Sequence, residues 1–186
     1  MNVYDFDGTI YQGDSSVDFY LFMLRKSPLL IRYLPIQAGG MLLYLLGIWD
    51  KTRCKQAFFR FLRGTDAAEY LETFWTGRED RIAAWYKEQK QESDVIISAS
   101  PAFLLRPILR KLGVQGLIAS QVDEKSGVFL SPNCRGAEKA RRFLAAFPHS
   151  PIDCFYSDNQ SDKPIAQLAD KAYLVDRGKI SPWPHS

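Results

Sequence analysis

Residues 3–9 read Val-Tyr-Asp-Phe-Asp-Gly-Thr, and this stretch decides the fold prediction. Residues 3–6 predict a short strand, and Gly8 indicates a turn directly after it. Asp5 and Asp7, separated by one residue, therefore lie where the strand ends. An isolated Asp-x-Asp pair is most often a turn or a cap, so its meaning depends on what the rest of the chain brings to the same place.

Four more runs of the sequence predict strands, at residues 94–98, 116–120, 152–156 and 172–175. Helices are predicted between them, at residues 102–112, 137–147 and 163–170. Alternating strands and helices predict an α/β fold, here a Rossmann-like three-layer core with a mostly parallel sheet. A short hairpin at the rim of this sheet is predicted at residues 122–130.

Residues 11–92 interrupt the alternation, because they contain no convincing strand. Five helices are predicted there, at residues 16–26, 29–48, 51–63, 67–76 and 79–91. Asp14 and the serines after it predict a helix start. We therefore predict two parts, a core of residues 1–10 and 93–186 and an all-helical cap of residues 11–92 inserted after the first strand.

The composition limits the classes of protein that fit. The chain has 186 residues, of which 46% are hydrophobic and 24% charged, so a packed core is feasible and wholesale disorder is excluded. The net charge of +3 is too small to indicate a nucleic-acid partner. The sequence therefore predicts a globular protein that does not bind nucleic acid.

Several reactive or polar residues receive no chemical role from the sequence. Cys54, Cys134 and Cys154 are odd in number and lack metal-site spacing, so they are predicted to be free thiols in a reducing, cytoplasmic compartment. Ser100 is interpreted as a cap for the helix that begins near Pro101.

Polar side chains follow the predicted strands, at the sheet edge where parallel α/β folds bind ligands. They are Asp5, Asp7, Ser98, Asp158 and Asp162, with Lys139 near the start of a helix. Clustered carboxylates repel each other unless a cation lies between them, and Mg²⁺ prefers oxygen ligands. Ser98 and Lys139 can donate to a phosphate, and Gly8 lets main-chain N–H groups approach it. The set predicts a site that handles phosphate with a metal ion.

These residues resemble the four motifs of the haloacid dehalogenase superfamily of phosphohydrolases. The run Asp5-Phe6-Asp7-Gly8-Thr9 matches its first motif, DxDx[TV]. Ser98, Lys139 and the pair Asp158 and Asp162 match the other three motifs in order. The resemblance implies a Mg²⁺-dependent phosphomonoester hydrolase that forms an aspartyl-phosphate. One departure is Ser157, where many relatives have glycine.

The resemblance also implies a role for each matched residue. Asp5 would be the nucleophile and a metal ligand, and Asp7 the general acid and base, with its main-chain carbonyl on the metal. Asp158 would be a metal ligand, and Asp162 would hold a metal-bound water or orient Lys139. The phosphate would be bound by Ser98, Lys139, Gly8, Thr9 and Ala99.

Residues 28–50 are strongly apolar, with Arg32 as the only charge between Pro28 and Asp50. Three interpretations stay open: a membrane-spanning helix, a helical hairpin buried inside the cap with its turn at Gly39 and Gly40, and a helical hairpin that dips into a membrane interface. In the third, basic residues lie near anionic head groups, namely Arg25, Lys26, Arg32, Lys51 and Arg53.

The helical insert resembles the type-1 cap of the phosphoserine-phosphatase-like branch, subfamily IB. Residues 133–139 and 156–162, with the apolar run, further resemble the phosphatidylglycerophosphatase C group. This finer resemblance implies a lipid-linked phosphate such as phosphatidylglycerophosphate, processed at the inner membrane face with peripheral contact through residues 28–50. Two alternatives stay open, a soluble small-molecule phosphatase and a non-catalytic, membrane-associated phosphate-binding module.

Overall fold

The computed structural model describes residues 1–184, so residues 185 and 186 of the predicted core lie outside the described residues. Its centre is a six-stranded sheet with the strand order β3-β2-β1-β4-β5-β6. The strands are β1 Val3–Tyr4, β2 Val95–Pro101, β3 Gly116–Ser120, β4 Ile152–Ser157, β5 Ala169–Asp176 and β6 Lys179–Pro182. The first five strands are parallel, and β6 runs antiparallel to β5. The mostly parallel sheet is confirmed, and β6 is an addition that the sequence did not predict.

Five α-helices lie between β1 and β2 in the described chain. They are α1 Ser15–Lys26, α2 Leu34–Leu45, α3 Lys51–Phe59, α4 Ala67–Thr76 and α5 Ala84–Gln89, with 3₁₀ turns at Pro28–Tyr33, Arg60–Gly64 and Glu79–Arg81. Asp14 caps α1, and its carboxylate accepts hydrogen bonds from two N–H groups of the first turn. Tyr11 bridges to both Asp7 and Ile82, so the two ends of the helical segment meet beside β1. The bounds of the cap at residues 11–92 stay a prediction.

Three further helices complete the layers: α6 Ala102–Leu112, α7 Ala137–Ala146 and α8 Lys163–Ala166. Tyr4 packs on one face of the sheet with α6 and the helical segment, whereas Val3 packs on the other face with α7 and α8. Successive strand residues point to opposite faces, so even the two residues of β1 tie both layers to the sheet. The last predicted helix stops at Ala166 because Ala169 already pairs with Ile152 in the sheet.

Helix α2 runs through Gly39 and Gly40, so the predicted turn at these glycines is wrong. The chain turns instead at Gly47, where φ is 71°. At Gly40, α2 packs closely against α3, and an added Cβ would lie 2.6 Å from the Cβ of Ala57. The glycine therefore permits close packing of two helices, which explains why it lies in a helix interior despite its low helix propensity.

The outer side of residues 28–50 leaves nine large apolar side chains at least 40% exposed. We call them the apolar cap surface: Leu29, Ile31, Leu34, Ile36, Met41, Leu42, Leu45, Leu46 and Ile48. Leu30 and Gly40 are buried, but the interpretation of the whole stretch as a hairpin buried inside the cap is wrong. Within residues 1–184, no helix is long and apolar enough to cross a membrane.

The hairpin predicted at residues 122–130 has an antiparallel bridge between Val122 and Phe129, and it lies beside α3. An added Cβ at Gly127 would lie 2.2 Å from the carbonyl oxygen of Phe59. The N–H of Phe129 also donates to Oε1 of Gln56 at 3.3 Å. The hairpin therefore holds α3 against the core, above the carboxyl ends of the strands.

Candidate active site

The carboxyl ends of β1, β2 and β4 open onto one cleft of about 420 Å³. Its wall contains the predicted site residues Asp5, Asp7, Gly8, Ser98, Ala99, Lys139, Asp158 and Asp162. It also contains Gly13, Asp14, Lys51, Lys55, Arg135, Asn159 and Ser161. The parallel sheet thus brings together side chains that are up to 157 positions apart in the sequence.

Lys139 is the centre of a buried ion-pair network. Its Nζ lies 2.9 Å from Oδ1 of Asp5 and 2.6 Å from Oδ2 of Asp162. The side chain is only 1% exposed, and α7 brings it in from one face of the sheet. A buried ammonium between two carboxylates is stabilised by both, and it fixes the orientation of Asp5.

Ser157, the departure from the usual motif, belongs to the same network. Its Oγ donates to Oδ2 of Asp162 at 2.8 Å and lies 3.4 Å from Oδ2 of Asp5. The same Oγ accepts a hydrogen bond from the N–H of Asn159 at 3.1 Å. The hydroxyl therefore connects β4 to the loop that carries Asp158, a function that glycine could not perform.

Asp7 has two hydrogen-bond donors, one from each side of the cleft. The N–H of Ser15, at the start of α1, donates to Oδ1 at 2.7 Å, and Oγ of Ser100 donates to Oδ2 at 2.5 Å. The predicted capping role of Ser100 is wrong, because α6 has Pro101 at its N-cap and no side-chain cap bond. Ser100 instead orients the second acid of the site.

Burial raises the pKa of both acids of the first motif. The pKa of Asp5 rises to about 7, since burial and nearby Asp162 outweigh the opposing charge of Lys139. The pKa of Asp7 rises to about 6, and the carboxylate of Asp14 adds to the effect of burial. Burial alone would lower the pKa of Lys139, but the two carboxylates beside it outweigh that and raise it. Burial, with the neighbouring carboxylates, therefore disfavours the charged form of Asp5 and Asp7.

Gly8 makes room for Asp158, and its N–H closes the loop after β1. The N–H donates within its own loop, to the carbonyls of Tyr11 at 2.9 Å and Gly13 at 3.0 Å. Gly8 has φ of 71°, and an added Cβ would lie 2.1 Å from Oδ2 of Asp158. Loop closure uses the N–H of Gly8 as a donor, and the phosphate contact predicted at Gly8 stays a prediction.

Thr9 lies behind the wall of the cleft. The side chain is buried, and its Oγ1 accepts a hydrogen bond from the N–H of Asp158 at 2.9 Å. This hydrogen bond ties the loop after β4 to the loop after β1, and the predicted contact of Thr9 with phosphate stays a prediction.

The oxygen atoms beside Gly8 fit a Mg²⁺ ion. Asp5 and Asp158 provide carboxylates, and the main-chain carbonyl of Asp7 accepts no hydrogen bond from the described residues. Burial and the nearby charge of Asp162 raise the pKa of Asp158, although Lys139 opposes this. Within residues 1–184, no group of three or more His, Cys, Asp or Glu side chains could hold a metal by itself. Mg²⁺ is usually held by one or two carboxylates and keeps several waters, so two carboxylates and a carbonyl suffice.

Strand β2 brings Ser98 and Ala99 to the wall opposite Asp158. Ser98 is buried, and its Oγ accepts a hydrogen bond from the N–H of Ser100 at 3.0 Å. The carbonyl of Ala99 accepts from Nζ of Lys55 at 3.0 Å, which links α3 directly to the site.

Several residues of the cleft wall were not predicted from the sequence, and neither was Ser100, which contacts the cleft acid Asp7. A signal existed for Ser100, since alternate residues of a strand share a face and Ser98 lies two positions before it. Lys51 is among the basic residues predicted to flank a membrane contact, but it lies in the cleft wall. Lys55 carries no local signal, because only the packing of α3 on the core brings it there, and Arg135 reaches the cleft from the loop before α7.

Comparisons with solved structures show the same fold. A protein of unknown function from Bordetella pertussis Tohama I matches with a TM-score of 0.76 at 18% identity, over 94% of this chain and 89% of that one. A phosphoserine phosphohydrolase-like protein from Francisella tularensis matches with a TM-score of 0.61 at 17% identity, over 96% and 88%. A phosphoserine phosphatase, solved as an analogue of its phospho-aspartyl intermediate, matches with a TM-score of 0.54 at 13% identity, over 91% and 83%.

Sequence comparisons identify a similar protein and a matching protein family. The protein CicA of Caulobacter vibrioides is 30% identical over 205 aligned positions, which cover 95% of this chain and 86% of that protein. Residues 3–167 match the family described as haloacid dehalogenase-like hydrolase. This range includes the predicted site residues Asp5, Asp7, Lys139 and Asp158. This chain therefore belongs to the haloacid dehalogenase-like hydrolase family.

Proposed function

We propose that the protein is a Mg²⁺-dependent phosphomonoester hydrolase that acts through an aspartyl-phosphate on Asp5. The observation that carries this proposal is the buried contact of Lys139 with Asp5 and Asp162, next to a second acid, Asp7. Lys139 and Phe6 hold Oδ1 of Asp5 by donors at 2.9 Å and 2.8 Å, which fixes the carboxylate at the cleft.

The chemistry divides between the two acids of the first motif. An oxygen of Asp5 attacks phosphorus, the bond from phosphorus to the ester oxygen breaks, and Asp7 gives its proton to the leaving oxygen. Asp7 then takes a proton from the water that attacks the aspartyl-phosphate, which releases phosphate and restores Asp5. Ser100 and the N–H of Ser15 keep Asp7 in place for both steps. A Mg²⁺ ion, held by Asp5, Asp158 and the carbonyl of Asp7, would neutralise charge on the phosphoryl oxygens.

Phosphate release from an aryl phosphate in Mg²⁺ tests the reaction. Asp5→Asn removes the nucleophile, so release falls to the background rate, whereas wild type and the matched control Asp66→Asn, an exposed acid, stay active. Chelation of Mg²⁺ abolishes wild-type release and added Mg²⁺ restores it. A wild-type protein that is inert on every phosphate ester tried, or an Asp5→Asn variant as active as wild type, would contradict the proposal.

We further propose that the substrate is a lipid-linked phosphate such as phosphatidylglycerophosphate, reached at the inner face of the membrane. The apolar cap surface supports this, because soluble proteins rarely expose so many contiguous large apolar side chains without a partner. Charge supports an anionic bilayer as that partner. Residues 19–49 contain no Asp or Glu, and exposed Arg25, Lys26 and Arg32 accompany the apolar side chains.

Flotation with anionic liposomes tests the membrane contact. Wild type should float with the vesicles, and the double variant Leu29→Glu, Leu45→Glu should stay in the soluble fraction, since these side chains are 74% and 73% exposed. Leu130→Glu is the matched control, because Leu130 is 69% exposed but lies outside the apolar cap surface. Wild type that stays soluble, with activity confined to small phosphates, would instead favour a soluble phosphatase of the phosphoserine-phosphatase type.

A further inference from the structure

Three basic side chains face the cleft outside the network of Lys139. Lys51 and Lys55 come from α3, and Arg135 comes from the loop before α7. None of the three forms an ion pair with another residue in the part of the chain that the structure describes. The proposed reaction at Asp5 uses none of them.

Lys55 is held beside strand β2, which carries the predicted phosphate-binding residues Ser98 and Ala99. Its Nζ donates to the carbonyl of Ala99 at 3.0 Å, next to Ser98. Burial lowers the pKa of Lys55, an effect that nearby Asp14 and Asp7 partly offset. One hydrogen bond leaves two further N–H donors on this ammonium group.

Lys51, from α3, and Arg135, from the loop before α7, both line the cleft. Burial lowers the pKa of Lys51, and the charge of Arg135 lowers it further. Asp14 attracts Lys51, and Oδ1 of its carboxylate accepts two hydrogen bonds at the start of α1. Two cations held close together repel, which costs folding free energy unless an anion lies between them.

We propose that Lys51, Lys55 and Arg135 form a second anion-binding subsite, which binds a further oxyanion of the substrate while the phosphomonoester occupies the site of Asp5. The inference rests on the proposed phosphatase function and deepens it. The shared chemistry is an anionic oxygen group close to the scissile phosphate. A phosphodiester would supply it in a glycerophospholipid, and a carboxylate would supply it in a small molecule. Because α3 contributes two of the cations, the segment that follows the apolar cap surface would also select the substrate.

Two matched pairs of phosphomonoesters test the subsite. In mixed micelles, phosphatidylglycerophosphate carries the additional phosphodiester and phosphatidic acid lacks it. In solution, 3-phosphoglycerate carries a carboxylate and glycerol 3-phosphate lacks it. For each pair, we measure kcat/KM for the ester that carries the second anion and divide it by kcat/KM for the ester that lacks it. Lys51→Ala and Arg135→Ala should each lower this ratio in one pair by about tenfold to a hundredfold, the effect of losing a charged hydrogen bond.

Two control variants separate this effect from general damage. Lys51→Arg keeps the charge and should keep most of the ratio. Arg60→Ala removes an exposed cation from the end of the same helix, outside the cleft, and should leave the ratio unchanged. Because the Ala substitutions remove repulsion, Lys51→Ala and Arg135→Ala should melt at or above the temperature of wild type.

The outcomes separate the subsite from the reaction. The pair whose ratio falls identifies the oxyanion as phosphodiester or carboxylate. The subsite is overturned if Lys51→Ala and Arg135→Ala leave the kcat/KM ratio unchanged in both pairs. It is also overturned if Arg60→Ala lowers the ratio by the same factor. In both cases the phosphatase function stands. Ala variants that melt well below wild type also overturn it, since the cations would then be structural. Wild type that releases no phosphate from any of the four esters overturns the phosphatase function and the subsite together.

Discussion

Replacing Gly8 by alanine gives a sharp test of how the site is assembled. An added Cβ would lie 2.1 Å from Oδ2 of Asp158, whereas ordinary contacts begin at 3.4 Å. The carboxylate would therefore have to retreat by about 1.3 Å from the place where we propose that it binds metal. Misplacement of a catalytic group by about 1 Å costs about 100-fold in rate. We expect Gly8→Ala to lower kcat on an aryl phosphate by about that factor.

The same substitution also strains the backbone, and this second effect needs its own control. Gly8 has φ of 71°, where a residue with a side chain costs about 1–2 kcal/mol. For a chain of this length, 1 kcal/mol shifts the melting temperature by about 2–4 °C, so Gly8→Ala should melt about 2–8 °C below wild type. Gly113 has φ of 72° and nothing within 4 Å of an added Cβ. Gly113→Ala should therefore lose similar stability and keep its activity.

Thermal unfolding by circular dichroism and steady-state phosphate release, both in saturating Mg²⁺, complete the test. The expected pattern is a similar drop in melting temperature for both variants and a loss of kcat in Gly8→Ala alone. If the two variants have equal activity, the contact between Gly8 and Asp158 does not position the acid for catalysis. If Gly8→Ala melts as wild type does, the assigned backbone conformation is wrong.

Three more predictions concern single contacts. Ser100→Ala removes the 2.5 Å hydrogen bond to Asp7 and should lower kcat about tenfold in the aryl phosphate assay; unchanged kcat would leave Ser100 without a positioning role. Lys139→Met leaves two carboxylates without their buried cation and should lower the free energy of unfolding in urea by about 3–5 kcal/mol, and a variant as stable as wild type would refute the ion-pair network. Gly39→Ala should raise that free energy by about 0.5–1 kcal/mol because nothing lies within 4 Å, and Gly40→Ala should lower it because Ala57 is too close; the same sign in both would contradict the packing of α2 on α3.

Much of the fold could be predicted because it depends on local patterns. The β-branched run of β2 and the Gly113 that ends α6 mark their elements without help from the rest of the chain. The fold predictions were wrong where contacts with neighbouring helices or strands determine the local conformation. Gly39 and Gly40 read as a turn, yet the contact of α2 with Ala57 requires the second glycine. β5 takes residues from the end of the last predicted helix because β4 offers a free edge.

The candidate site also combines residues that the sequence predicts with contacts that it does not predict. Residue type and order predict the four acids, which follow strands, and Lys139, which lies in the first turn of a helix. The acids are Asp5, Asp7, Asp158 and Asp162. Their detailed contacts could not be predicted, since a hydrogen bond depends on distances of a few tenths of an ångström between distant parts of the chain. The donors to Asp7 are an example, because Ser15 and Ser100 are 85 positions apart.

The sequence by itself determined the parallel α/β core, the helical insert and the acids at the carboxyl edge, because strand periodicity, turn residues and motif order are local properties. Only the tertiary structure decided that Gly8 accommodates Asp158 and that Thr9 ties two loops together. It also decided that α3 brings Lys51 and Lys55 to the cleft while the apolar cap surface stays exposed. The physical reason is that contact and burial depend on which elements pack together, and a side chain's own sequence neighbours do not fix that packing.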